Sequence, residues 1–98
     1  MYFWLDDERP SPRGFVGVNS VNELKKMVEA LELQGIEFFY FDLDHDLGEF
    51  AEDGGDGRKF VIWLIETGRN NCHYVVKCHS ANPVGREYIE SMVERYWI

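Results

Sequence analysis

Positive charge is scarce in this sequence: 10 Lys and Arg stand against 18 Asp and Glu, a formal net charge of -8. A broad surface for nucleic-acid phosphates is thereby excluded, because such surfaces are built from clustered basic side chains. Long apolar runs are missing as well. The longest, Phe60–Ile65, falls far short of the roughly 20 residues that cross a bilayer. The opening residues Met1 to Glu8 also lack the basic segment and cleavage site of a secretory signal. A cytoplasmic protein with no membrane partner is expected. Only two cysteines occur, Cys72 and Cys78, each followed by a histidine in an arrangement that looks like a zinc site. The β-branched stretch between them reads as a strand, which would set the thiols about 20 Å apart. They then share neither a metal nor a disulfide and are expected to be reduced thiols.

What is present suffices for one folded unit. Across 98 residues, 45% apolar and 15% aromatic side chains supply a core, so residues 1–98 are read as a single domain. The acidity is concentrated: residues 1–68 carry 15 acids and 6 bases, whereas residues 69–98 carry 3 acids and 4 bases. Seven of the acids fall between Asp42 and Asp56 with no Lys or Arg among them. Such a run needs solvent or cations to be tolerated. Glu49 to Asp56, with Gly54, Gly55 and Gly57, reads as a solvated loop. Asp42 to Asp46 does not, because it directly follows an apolar run.

Periodicity places the elements. Tyr2–Leu5 reads as a strand ending abruptly in Asp6-Asp7-Glu8-Arg9-Pro10, and Phe15–Val18 as a short second one. Ser20-Val21-Asn22-Glu23 forms a capping box, and Val21, Leu24, Val28 and Leu31 follow at helical spacing before Gly35 stops the helix. Ile36–Leu43 reads as a central strand buried on both faces. Phe60–Ile65 suits either a strand or a helix; Asp56 as cap and Gly68 as stop favour a helix. Cys72–His79 is the next strand. Asn82-Pro83 opens a last helix with Val84, Tyr88, Met92 and Tyr96 as its apolar stripe, and Tyr96-Trp97-Ile98 reads as a vestigial final strand. Alternating strands and helices imply a parallel sheet with right-handed crossovers. In such sheets ligands sit beyond the carboxyl ends of the strands.

That rule selects Asp6-Asp7, Asp42 to Asp46, and His79 to Asn82. If the first and third strands are neighbours, Asp6, Asp7 and Asp44 converge, with Asp46 close in sequence. Crowded carboxylates are neutralised by a proton or a divalent cation, and oxygen donors suit Mg²⁺ or Mn²⁺. Asp42, Asp44 and Asp46 also alternate as in a calcium-binding EF-hand loop, but Leu47 occupies the required glycine position and a strand precedes the loop, which excludes that reading. On an extended strand the three aspartates would share a face, with His45 on the other, but the segment is expected to turn before Asp46. His45 and His79 are candidate proton carriers. Ser80 is a candidate hydroxyl donor to an oxyanion. The amides of Val84 and Gly85, behind Asn82, offer a phosphate seat, and Arg9 and Arg86 a clamp.

The strings Leu5-Asp6-Asp7-Glu8-Arg9-Pro10, Leu43-Asp44-His45-Asp46-Leu47-Gly48 and His79-Ser80-Ala81-Asn82-Pro83-Val84-Gly85-Arg86 resemble the cyclic-phosphate processing receiver-like family of phage and bacterial genomes. The resemblance spans nearly the whole chain. It implies a three-layer, flavodoxin-like α/β fold with a parallel sheet of 4–5 strands, the first helix replaced by the Arg9–Gly14 loop. It also implies that Asp6 and Asp7 match the acidic pair of receiver domains, Asp44 the phosphoacceptor position and Ser80 the hydroxyl after the fourth strand. One departure matters: receivers carry a lysine after the fifth strand, and the last lysine here is Lys77. Phosphorelay signalling is therefore disfavoured, while metal binding is untouched.

The function expected is a Mg²⁺- or Mn²⁺-dependent phosphoesterase acting on a cyclic nucleotide or an RNA cyclic phosphate, with water or Asp44 as the attacking group. Two other readings stand beside it: a non-catalytic acidic module that binds a basic protein partner in phage–host conflict or signalling, and a protein that holds a phosphorylated ligand without cleaving it.

Overall fold

The computed structural model describes all 98 residues. Four strands and three helices alternate in the order β1 (Tyr2–Leu5), β2 (Val16–Val18), α1 (Val21–Leu33), β3 (Phe39–Leu43), α2 (Gly57–Glu66), β4 (Tyr74–Cys78) and α3 (Pro83–Tyr96), with a short 3₁₀ turn at Gly48–Glu52. The sheet is parallel throughout, in the order β2-β1-β3-β4. It is the α/β, receiver-like, flavodoxin-like arrangement expected, with β1 and β3 adjacent where the strand order reverses. No helix is long and apolar enough to cross a membrane.

Alternation along the strands divides the sheet into two unlike faces. Phe3, Leu5, Phe39, Phe41, Leu43 and Val76 point to one side and form a single core with Val21, Leu24 and Val28 of α1, Phe60, Val61 and Leu64 of α2, and Ile89 of α3. Full burial of each such side chain contributes about 1.5–3 kcal/mol. All three helices therefore pack on this face, as right-handed crossovers running β2 to β3 to β4 require. The opposite face holds Tyr2, Trp4, Tyr40 and Asp42. Its only cover is the helix-free β1–β2 connection, whose Phe15 ring packs edge-on against Tyr2, Trp4 and Tyr40. The third layer is thus reduced to a loop.

Caps and stops fall where the sequence puts them. Ser20 Oγ accepts the Glu23 amide at 3.2 Å, although its own proton goes to Asp53 at 2.7 Å rather than into a reciprocal capping box. Gly35 and Gly68, beyond α1 and α2, take φ of +92° and +74°, the left-handed turn that ends a helix. Both cysteines are free.

Four expectations need correction. The third strand begins at Phe39 rather than Ile36, and its outer residues Tyr40 and Asp42 are only partly buried. The last helix does not bury Val84, Tyr88 and Tyr96, which are exposed; its inward residues are Gly85 and Ile89, because a residue without a side chain lets the helix approach closely. No final strand forms: Tyr96 ends α3, and Trp97 caps it while donating its indole N–H to the Tyr74 carbonyl at 2.8 Å. The fourth strand begins at Tyr74, two residues after Cys72.

Candidate functional site at the sheet rim

Strand register builds the site. Leu5 pairs with Val18 and Leu43, and Leu43 with Cys78, so all the strands end at one level. The ladder runs one residue further: the Asp6 amide donates to Val18, that of Asp44 to Leu5, and that of His79 to Leu43, at 3.1, 2.8 and 3.0 Å. Three residues far apart in sequence are thereby held side by side. Asp6 and Asp44 are buried, 5% and 7% exposed. Together with His79 they offer ligand atoms that all lie within 4.8 Å of one another.

His79 is the hub. Its Nδ1 lies 2.8 Å from Asp42 Oδ1 and its Nε2 2.9 Å from Asp6 Oδ2. The Trp4 ring lies flat against it, centroids 3.6 Å apart and planes 2° from parallel. Burial alone would favour the neutral imidazole, but the hydrogen bonds to Asp42 and Asp6 outweigh it and raise the His79 pKa. The ring therefore sits between the two carboxylates, one nitrogen facing each. Asp6 shows the converse balance. Burial pushes its pKa up, but the amides of Arg9 and Glu8, both 2.8 Å from Oδ1, and His79 hold it below the ordinary value. Asp44 is raised, chiefly by burial and further by the negative charge of Asp6, with the neighbouring Ser80 hydroxyl opposing. One carboxylate is therefore fixed as an anion beside one that holds a proton more readily.

The other expected site residues divide into two groups. Arg9 reaches the cluster, with Nε 3.7 Å from Asp6 Oδ2 and a terminal nitrogen 3.4 Å from the His79 carbonyl. Asp7 lies next to it, its carboxylate turned toward Gly48. Ser80 is buried beside Asp44. His45 and Asp46, in contrast, form a separate group with Asp56. The chain leaves the strand after Leu43, before Asp46 as expected, so that His45 Nδ1 meets Asp46 Oδ1 at 2.8 Å, and the Asn82 amide donates to both Asp46 oxygens at 3.3 and 3.1 Å. The His45 contact holds the Asp46 pKa down. The expected phosphate seat is already filled: the Val84 and Gly85 amides are bound by Asn82 Oδ1, at 3.1 and 3.2 Å. Arg86 turns along its own helix to Glu90 at 3.4 Å, and Val84 is 76% exposed. Neither adds to the acidic cluster.

A family description, the cyclic-phosphate processing receiver domain, matches residues 1–95. The chain belongs to this family. Comparison with curated proteins and with solved structures returns no match. Reading the sequence missed two parts of the receiver's rim, Asp42 as the acceptor for His79 and Trp4 as its stacking plate. The signal was present. Both lie on the outward side of the alternating strands, and register sets them directly opposite each other.

Proposed function

We propose that this receiver domain is a Mg²⁺- or Mn²⁺-dependent phosphoesterase that opens a cyclic nucleotide phosphate or an RNA cyclic phosphate. The observation that carries the reading is the buried pair Asp6 and Asp44, two carboxylates at one rim, with His79 from the end of β4 beside them. The donor chemistry fits a hard divalent cation, since carboxylate oxygens dominate it. Asp6 and Asp44 would hold the ion, with Asp7 adjacent. An ion held there would supply polarisation of a phosphoryl oxygen and offset charge developing in the transition state.

The chain's own groups supply the rest. His79, oriented by Asp42, presents a proton at Nε2 and delivers it to the departing ribose oxygen. This role falls to His79 rather than His45, whose Nδ1 is engaged by Asp46 away from the buried pair. Arg9 and Ser80 flank the same rim and orient anionic oxygens. Replacing Asp44 by Asn should abolish Mg²⁺-dependent turnover of a 2′,3′-cyclic nucleotide while leaving the amide NMR spectrum dispersed. Undiminished turnover would refute the assignment.

A second reading, retention of a phosphorylated ligand without cleavage, is favoured by one specific feature: both nitrogens of His79 are already engaged by carboxylates. Product analysis after prolonged incubation separates the two.

A further inference from the structure

Helix α3 turns several large apolar side chains away from the core on which it packs. Val84, Tyr88 and Tyr96 are 76%, 42% and 44% exposed, and with the partly buried Met92 they form a row at intervals of four residues. A second row, Glu87, Ser91 and Arg95, runs beside it, and between the two lies a groove of about 450 Å³. Rows at this spacing are the ridges into whose groove another helix packs, and an exposed apolar patch with a polar border marks a contact surface. The polar row has no use within the chain. Neither Glu87 nor Arg95 has an ion-pair partner there, whereas Arg86 and Glu90 on the same helix pair with each other at 3.4 Å.

We infer that this groove is the contact surface of a homodimer, in which α3 packs antiparallel on α3 of a second copy about a two-fold axis at Ser91. The order of charges selects that occupant. Glu87 lies one turn before Ser91 and Arg95 one turn after it, each about 6 Å away along the helix axis. A two-fold axis at Ser91 reverses the second helix, so that Glu87 of each copy meets Arg95 of the other and the contact is made twice. Ser91 is small and uncharged, which lets the helices cross closely without setting like charges together. A parallel pairing would instead bring Glu87 onto Glu87 and Arg95 onto Arg95. Net charge points the same way. Two chains of formal charge -8 repel on most approaches, but 15 of the 18 acids lie in residues 1–68, and beside the groove Arg58 stands over the Tyr88 ring at 5.6 Å. Two copies therefore meet on this face with acid matched to base. Tyrosine and arginine are also the residue types on which protein contacts most depend.

The test is sedimentation velocity of the full chain at low salt. One helix face buries less than the roughly 1,200 Å² of a stable complex, so the dimer should be weak, with a Kd on the order of 100 µM, and the sedimentation coefficient should rise between about 10 µM and 1 mM protein. Glu87→Arg or Arg95→Glu alone should weaken association at least about tenfold, because the two-fold axis sets two like-charged pairs in contact. Both positions are exposed, so each variant should keep a dispersed amide spectrum. Mixing the two variants should restore association as a heterodimer, since one then carries only basic and the other only acidic side chains in the polar row. A single monomeric species up to 1 mM would overturn the dimer. Association that survives both single substitutions would place the contact elsewhere, and failure of the mixture to associate would refute the antiparallel pairing.

Discussion

A β-carbon on Gly57 would stand 2.0 Å from the carbonyl oxygen of Asp44. At this position α2 begins flush against the segment that carries the buried carboxylate, and the Gly57 amide donates to the His45 carbonyl at 2.8 Å. The neighbour is backbone, which cannot swing aside. Gly57→Ala should therefore move either the helix start or the Asp44 segment, costing about 3 kcal/mol, the upper end of the usual overpacking penalty. Urea denaturation measures it, and an unchanged midpoint would show that the contact is not tight.

The two acidic groups at the rim make separable predictions for metal binding. Asp6, Asp44 and His79 form one set, and His45, Asp46 and Asp56 the other. Substoichiometric Mn²⁺ should broaden the amide signals around Asp6 and Asp44 first, because burial there makes a cation most valuable. The effect should vanish in Asp44→Asn and persist in Asp46→Asn. Broadening centred on Asp56 instead would transfer the ion to the second set.

These two sets were indistinguishable in the sequence, where Asp44, His45 and Asp46 are consecutive. The elements themselves were legible because caps, stop glycines and apolar periodicity act locally: Ser20, Gly35, Gly68 and Asn82 each mark a boundary that the structure reproduces. Convergence of Asp6 with Asp44 was conditional on β1 and β3 being neighbours, which the strand order supplies. The buried face of α3 did not, since Gly85 carries no apolar signal and yet presses against His45, where a β-carbon would sit 2.3 Å from Cγ. A hydrophobic count accordingly favoured the exposed stripe of Val84 and Tyr88. The role of His79 was hidden for a related reason. Crowded carboxylates were expected to be neutralised by a proton or a divalent cation, and the position of the His79 ring between Asp6 and Asp42 was not anticipated.

Asn82 performs two tasks with one side chain. Its carbonyl oxygen caps α3, and its amide group holds Asp46. Asn82→Ala should lower stability by about 1 kcal/mol through the lost cap. Asn82→Asp should retain most of the cap but place a negative charge against Asp46, so its deficit should shrink as salt is raised. Equal salt dependence in the two variants would separate Asn82 from Asp46.

Away from the rim, Glu32 ties α1 to the strand opposite and makes a prediction about acid stability. Arg69 donates to both its oxygens at 2.8 Å and is held over the Trp63 ring at 4.3 Å, while the Tyr74 hydroxyl donates to the same carboxylate. The Arg69 hydrogen bonds dominate and, with Tyr74, hold the Glu32 pKa below its ordinary 4.5 despite partial burial. A carboxyl group whose pKa is lower in the folded than in the unfolded chain binds its proton preferentially when unfolded. Its stabilisation is therefore complete above about pH 4.5 and is lost as the pH falls through the lowered folded value. Wild type should exceed Glu32→Gln in urea midpoint at pH 7, and the gap should close progressively below that point. A gap that stays constant to pH 2 would mean that packing of the side chain, rather than its charge, holds α1 in place.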